Sequence, residues 1–285
     1  MLLCGCAEPE PLADPGTTAD QSVDPAEDIA PARYLTHIVF AGIDGTAFFG
    51  SFMQDAQPDR LEREYRVWLG DDAGWTALLA VNDTLPIPRA AWRILPAGAM
   101  TVRVGDARQV VGLAFRTPGG RFALHAGEEV AVWTGPTGQR ESVGVAAIET
   151  GDRQAGGVLY FRRAARALRY PSQAGDIRAF VLTDSVGNGL LIEQSEADGT
   201  AVARTWLHGA AAAWDAVALA PDTTAAGLRS PRWTFDIPGA GLRGTIRAVS
   251  TPTGTPVPTV RIECELTADG EVFPFVGVVA PLPLP

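Results

Sequence analysis

From Tyr34 onward, apolar residues come in short runs cut by turn residues, and the period within each run is nearer two than 3.6. Stretches rich in Val, Phe, Trp and Ala predict strands at Tyr34 to Gly42, Thr46 to Met53, Glu62 to Leu69, Trp75 to Val81 and Met100 to Val104. Gln109 to Phe115, Arg121 to His125, Val130 to Thr134 and Val143 to Glu149 continue the series. Asp44-Gly45, Gly70-Asp71-Asp72 and Pro118-Gly119-Gly120 supply the turns between them. Even spacing with Gly and Pro punctuation points to an antiparallel barrel or sandwich and not to an alternating α/β sheet. One segment reads as a helix, Phe161 to Arg169, where Arg162, Arg166 and Arg169 would share a face, either a solvated linker or a docking patch for an anion. In Val260 to Leu266 the odd positions are charged and the even ones apolar, which turns Cys264 inward as a small core residue.

The strand rhythm occurs twice. Arg66-Val67-Trp68-Leu69 is echoed by Arg204-Thr205-Trp206-Leu207, Trp75 by Trp214, and Ala91 to Ala97 by Arg232 to Gly239. Thr101-Val102-Arg103 matches Thr245-Ile246-Arg247, and Val143 to Ala147 matches Val276 to Ala280. The ordered series predicts a duplicated unit of about 120 to 140 residues, far longer than a solenoid repeat. The expected division is a first β domain at 33–152, a linker at 153–174 and a second β domain at 175–285.

Charge changes the picture at the start of the chain. The formal net charge is -10, but Glu8, Glu10, Asp14, Asp20, Asp24, Glu27 and Asp28 fall together with no base among them. The body is therefore close to neutral, and nothing suggests a nucleic acid partner, which needs clustered cations. Every basic residue is arginine, so Schiff-base and P-loop chemistry lack their lysine. Residues 7–32 are too polar to offset their own ordering entropy and read as a disordered acidic tether. Leu3-Cys4-Gly5-Cys6 resembles a bacterial lipobox, so residues 1–6 read as the remnant of a lipoprotein signal with Cys6 as the lipidated residue. The expected address is the bacterial cell envelope, exported, with membrane contact through that lipid anchor only.

Two apparent motifs fail on context. Gly239-Ala240-Gly241-Leu242-Arg243-Gly244 fits GxGxxG, but a strand-like run follows it where a dinucleotide site needs a helix. Thr183-Asp184-Ser185-Val186-Gly187 falls on a predicted hairpin turn, with no partner to activate Ser185. The histidines are too dispersed for metal binding, and no cofactor motif is present.

Candidate chemistry therefore rests on a few residues. His208 and Asp215 flank one predicted hairpin bend and form the first catalytic pair, His as base and Asp as its orienter, with His37 in reserve and His125 unassigned. The paired Trp68, Trp75, Trp206 and Trp214, with Arg66 and Arg204 two residues before a tryptophan, either plug the end of a barrel or line an apolar ligand cavity.

Two tandem, tryptophan-rich β copies, each ending on a Gly-containing strand such as Val143 to Gly151, resemble the double-lipocalin proteins that include carotenoid 1,2-hydratases. The resemblance spans Tyr34 to Ala280 and implies a large apolar cavity for a terpenoid or lipid-like ligand, with cofactor-free chemistry. Three functions follow as expectations. The first is a lipid-anchored protein that binds a hydrophobic small molecule in a barrel or between two β domains. The second is a cofactor-independent hydratase, isomerase or cyclase. The third is a carbohydrate-binding surface module.

Overall fold

The structure, a computed structural model, describes residues 31–86, 92–105, 110–117, 120–134, 139–151, 153–167, 176–222, 231–250 and 259–282. The lipobox-like start and the acidic stretch lie outside these residues. The chain is all-β: two nine-stranded antiparallel sheets that follow one another in sequence.

The first sheet is built from β1 (Ala32–Gly42), β2 (Ala47–Ala56), β3 (Arg60–Asp71), β4 (Gly74–Pro86), β5 (Met100–Val104), β6 (Val110–Thr117), β7 (Gly120–Thr134), β8 (Arg140–Thr150) and β9 (Arg153–Ala167). Their spatial order is β4-β3-β2-β1-β9-β8-β7-β6-β5, so the last strand closes back on the first. The second sheet repeats this plan with β10 (Ile177–Thr183), β11 (Gly189–Ser195), β12 (Ala201–Leu207), β13 (Ala210–Trp214), β14 (Ala218–Pro221), β15 (Arg232–Ile237), β16 (Leu242–Ser250), β17 (Val260–Ala268) and β18 (Glu271–Leu282). Its order is β13-β12-β11-β10-β18-β17-β16-β15-β14. The first sheet curls into a barrel and the second into a half-barrel, a tandem lipocalin-like architecture.

The predicted helix is a strand. Phe161 to Ala167 belongs to β9, where Leu159 and Phe161 enter the first core and Tyr160 and Arg162 face the other way. The helical reading failed because an arginine three or four residues from the next was taken as a surface stripe, while the aromatic alternation Tyr160, Phe161 carried the true period of two. The segment expected to link the copies is thus, from Arg153 to Ala167, the closing strand of the first sheet.

Each interior is packed. Phe48, Phe115 and Phe122 form an aromatic stack in the first unit, with Phe48 and Phe122 centroids 5.4 Å apart, beside Phe52 and Tyr65 at 5.1 Å. In the second, Phe180 meets Trp233 edge-on at 5.4 Å, over Phe235, Ile246, Cys264 and Phe275. Burial pushes the Cys264 thiol up to about 12, so it is an inert core residue.

A third cluster lies between the sheets. Val39, Ala41, Ala47, Phe49, Val143, Val158 and Tyr160 of the first pack on Ala179, Val181, Leu191, Trp206, Val278, Ala280 and Leu282 of the second. This explains why Ile38-Val39-Phe40-Ala41 and Leu190-Leu191-Ile192 are apolar without interruption: these strands are covered on both faces, one by their own core and one by the partner unit.

The duplication holds strand for strand, but the sequence matches align with it only in part. Arg66–Leu69 and Arg204–Leu207 do lie on equivalent strands, β3 and β12, with Trp68 and Trp206 both on the inter-sheet face. Their pairing is slid by two residues: Trp68 is opposite Phe49, while Trp206 is opposite Gly189 and Arg204 opposite Leu191. Trp75 and Trp214 also lie on equivalent strands, β4 and β13, but at opposite ends of them, facing Gly70 and Ala203. The last two echoes pair unlike strands, β5 with β16 and β8 with β18, because a Val-centred alternation recurs on any covered strand. At Gly189 an added Cβ would stand 1.8 Å from the Trp206 ring. Gly189→Ala should therefore cost about 1–3 kcal/mol by overpacking, read as a lower denaturant midpoint at unchanged slope.

Candidate functional site

The seam between the sheets is apolar over most of its area and polar along one cross-strand row. The antiparallel register sets Arg66 opposite Ser51, Ser51 opposite His37, His37 opposite Arg162, Arg162 opposite Glu141 and Glu141 opposite Trp133. All project from the face that meets the second unit, because successive strands in register place side chains in line on one side. The next row on that face is Trp68, Phe49, Val39, Tyr160 and Val143. The equivalent row in the second unit reads Val202, Glu193, Ala179 and Ala280. The polar residues of the seam thus come mostly from the first unit, with Glu193 and Arg204 as the contribution of the second.

Glu141 is the hub. Its carboxylate accepts hydrogen bonds from Arg162 Nε at 3.1 Å, from Gln139 Nε2 at 3.0 Å and from the Trp133 indole. The Arg162 and Glu141 side chains are 2% and 1% exposed, so this ion pair is fully withdrawn from water. Across the seam the Tyr160 hydroxyl donates to Glu193 Oε1 at 2.7 Å. Tyr160 also stacks near Trp133 at 6.4 Å, and the Arg204 guanidinium lies over the same indole at 5.6 Å. His37 stacks on Phe49 at 6.2 Å, and Phe49 in turn on Trp68 at 5.6 Å.

Burial dominates the electrostatics. Desolvation, reinforced by the neighbouring Glu141 charge, raises the Glu193 carboxyl to about 7 against the pull of Tyr160, Arg162 and Arg204. Desolvation, with the Arg162 charge adding to it, holds His37 down at about 3, so its imidazole is neutral. The Tyr160 phenol is driven well above its ordinary value by burial and by Glu193 and Glu141. Four buried donor or acceptor atoms here have no hydrogen-bond partner: His37 Nε2, Arg162 Nη2, Arg204 Nε and Trp75 Nε1. Buried polar groups are normally satisfied, and these four are half of the eight such side-chain atoms among the described residues, which marks the seam as a functional candidate.

The sequence candidates distribute unevenly around this site. His37, Arg204, Trp68, Trp75 and Trp206 belong to the seam, with Arg66 at the end of its polar row, bonded to the carbonyls of Tyr65 and Val81. Trp214 turns instead into the second core and donates to Thr205 Oγ1 at 3.0 Å. His208 and Asp215 are not brought together. His208 occupies the β12–β13 turn at φ 51°, its amide donating to Asn188 Oδ1, while Asp215 follows the far end of β13 with its side chain 92% exposed. The length of that strand puts them roughly 20 Å apart. His125 lies on the outer face of the first sheet, 2.9 Å from Arg103. Glu141, Tyr160, Glu193 and Trp133 were missed by sequence reasoning, which named Arg162 only as one of three arginines on an expected helix face that could dock an anion. The available signal was a charge set in a doubly covered strand, Glu193 after Leu190-Leu191-Ile192 and Arg162 after Tyr160-Phe161.

The expected barrel cavity is filled by the aromatic cores already described. A trough of about 470 Å³ does exist on the outer face of the second sheet, edged by Thr234, Asp236, Arg243 and Glu265, away from the seam. Among the described residues no three His, Cys, Asp or Glu side chains group as metal ligands.

No protein-family model matches the chain, and no curated protein does. Among solved structures it is similar to kievitone hydratase from Nectria haematococca, with a TM-score of 0.54 over 90% of each chain at 8% identity. It is also similar to a protein assigned as AttH from Nitrosomonas europaea, with a TM-score of 0.50 over 92% of this chain and 98% of that one at 12% identity. At such identities what is shared is the fold.

Proposed function

We propose that this protein is a cofactor-independent acid–base enzyme of the hydratase, isomerase or cyclase type, working on a small, largely apolar molecule at the seam between its β units. The observation that carries the reading is the Tyr160 to Glu193 hydrogen bond across the seam, beside a neutral His37 whose Nε2 is unpaired. A carboxyl poised near 7 both delivers and receives a proton at neutral pH, and an imidazole kept neutral by burial offers a hydrogen-bond acceptor beside it. In a hydration, Glu193 protonates one alkene carbon and its carboxylate then takes the proton released by the attacking water, which His37 Nε2 orients by accepting a hydrogen bond, so the acid is regenerated in each cycle. Arg162 and Glu141 position the pair without touching the reacting atoms. That one protein of similar fold is a hydratase is consistent with this choice.

Deuterium uptake tests it. Incubated in D2O with prenylated phenols, unsaturated terpenoids and polyenes, the protein should place one deuterium on carbon of whichever compound it accepts. Glu193→Gln and Tyr160→Phe should lower that rate about 10²- to 10⁴-fold with the circular dichroism unchanged. No incorporation from any of the three classes would end the acid–base reading.

A second reading, binding without turnover, is favoured by the gathering of Trp68, Trp75, Trp133 and Trp206 at the same seam. The carbohydrate module loses support, since every tryptophan is buried or half-buried and none offers an exposed platform. Export and lipid attachment at Cys6 complete the proposal. Labelling with an alkynyl fatty acid should mark the full-length chain in a bacterial host, and Cys6→Ala should abolish the label.

A further inference from the structure

We infer that the molecule taken at the seam carries a single carboxylate on an otherwise apolar body, its charge received by Arg162 and Arg204. This rests on the seam being the binding site, as proposed above. Arg162 spends its Nε on Glu141 and keeps Nη2 buried and unpaired, with the side chain 2% exposed. Arg204 gives Nη1 to the carbonyl of Ala203 and keeps Nε buried and unpaired. With His37 Nε2, these atoms offer hydrogen-bonding capacity to an oxygen that no protein group supplies, and two of the three are cationic donors. Guanidinium groups bind carboxylates more strongly than neutral acceptors.

The charge count agrees. The groups facing Glu193 are Tyr160 and Arg162 on β9, Glu141 on β8 and Arg204 on β12, with His37 on β1 beside Arg162. His37 and Tyr160 are neutral, and Glu141 cancels Arg162. Arg204 has only Asp215 near it, at 4.0 Å and almost wholly in solvent, where the attraction is screened. While Glu193 holds its proton the seam carries one uncompensated positive charge, which is room for one anion. When Glu193 ionises it takes that place itself. A bound carboxylate therefore keeps Glu193 protonated, and binding must weaken as pH rises past the point where the free protein loses that proton. The apolar remainder of the molecule lies along the rim of the seam, where Trp68, Trp75 and Trp133 are half-buried, since Phe49, Val39 and Val143 are already covered by the second unit.

The probe is 11-(dansylamino)undecanoic acid, against its methyl ester, titrated into the full chain with dansyl emission and tryptophan quenching as readouts. The acid should bind at least tenfold tighter than the ester at pH 6, and its Kd should rise about fivefold between pH 7 and pH 8 while that of the ester stays level. Arg204→Gln, at a side chain 19% exposed and so less costly to change than Arg162, should abolish the preference for the acid. Glu193→Gln should keep the preference and lose the pH dependence. Equal binding of acid and ester at every pH would overturn the carboxylate inference yet leave the seam standing as a site. Binding of neither overturns it as well, and the deuterium experiment then decides the seam separately.

Discussion

Replacing Glu141 with glutamine is expected to destabilise the protein by about 3–5 kcal/mol, because it leaves the Arg162 guanidinium buried without a counter-charge. A chain of this length loses roughly 2–4 °C of Tm per kcal/mol, so a fall of about 10 °C should be visible in thermal denaturation followed by tryptophan fluorescence. Removing both charges costs less: Glu141→Leu combined with Arg162→Met should lose only about 1–3 kcal/mol, since desolvating two ions costs about as much as their attraction returns and what remains is the Trp133 indole and Gln139 amide deprived of the Glu141 acceptor. Such a double variant would be more stable than Glu141→Gln yet inactive, which separates the positioning role of the pair from its structural one. A loss under about 1 kcal/mol in Glu141→Gln would mean that water reaches the seam and that the pair behaves as a surface salt bridge.

The second large effect is a masked pH dependence. Glu193 has its pKa raised from 4.5 to about 7, so between those values the folded protein holds a proton that the unfolded chain releases, and stability falls as pH rises through that window. His37 has its pKa lowered from 6.5 to about 3, so between those values the unfolded chain holds the extra proton, and stability falls as pH drops. From about 4.5 to 6.5 the two slopes oppose, each worth up to about 1.4 kcal/mol per pH unit, and the native protein should show a nearly level profile there. Single variants uncover each half. Glu193→Gln should leave a chain that loses stability steadily on acidification below pH 6.5, and His37→Gln one that loses it on alkalinisation between 4.5 and 7. Urea midpoints at half-unit pH steps would show it. Parallel profiles for the native protein and both variants would place neither proton where the seam puts it.

How much of this was visible beforehand depends on the kind of information each residue carried. The strands were legible because a half-covered strand alternates, as at Arg232-Trp233-Thr234-Phe235-Asp236-Ile237, whose alternate residues Trp233, Phe235 and Ile237 are buried. Cys264 was placed inward by the same alternation. The helix at Phe161 was misread because β9 has no solvent face for much of its length: Leu159 and Phe161 enter a core while Tyr160 and Arg162 enter the seam. His37 was singled out as a rare titratable residue, but nothing near it in sequence points to Arg162, its cross-strand neighbour. Conversely, His208 and Asp215 looked adjacent because a bend lies between them, yet the hairpin pairs Leu207 with Ala210 and carries Asp215 away to the other end.

By itself the sequence determined that the body is all-β and duplicated, that lysine chemistry is closed to it, and which side chains are large enough to build its cores. Those are properties of period and composition, which act locally. Only the tertiary structure decided that the barrels are filled and that the ionisable residues meet between them. A seam site is made by register across strands distant in sequence and by docking one sheet on another, and its proton affinities come from exclusion of water by that docking, which no single stretch of chain encodes.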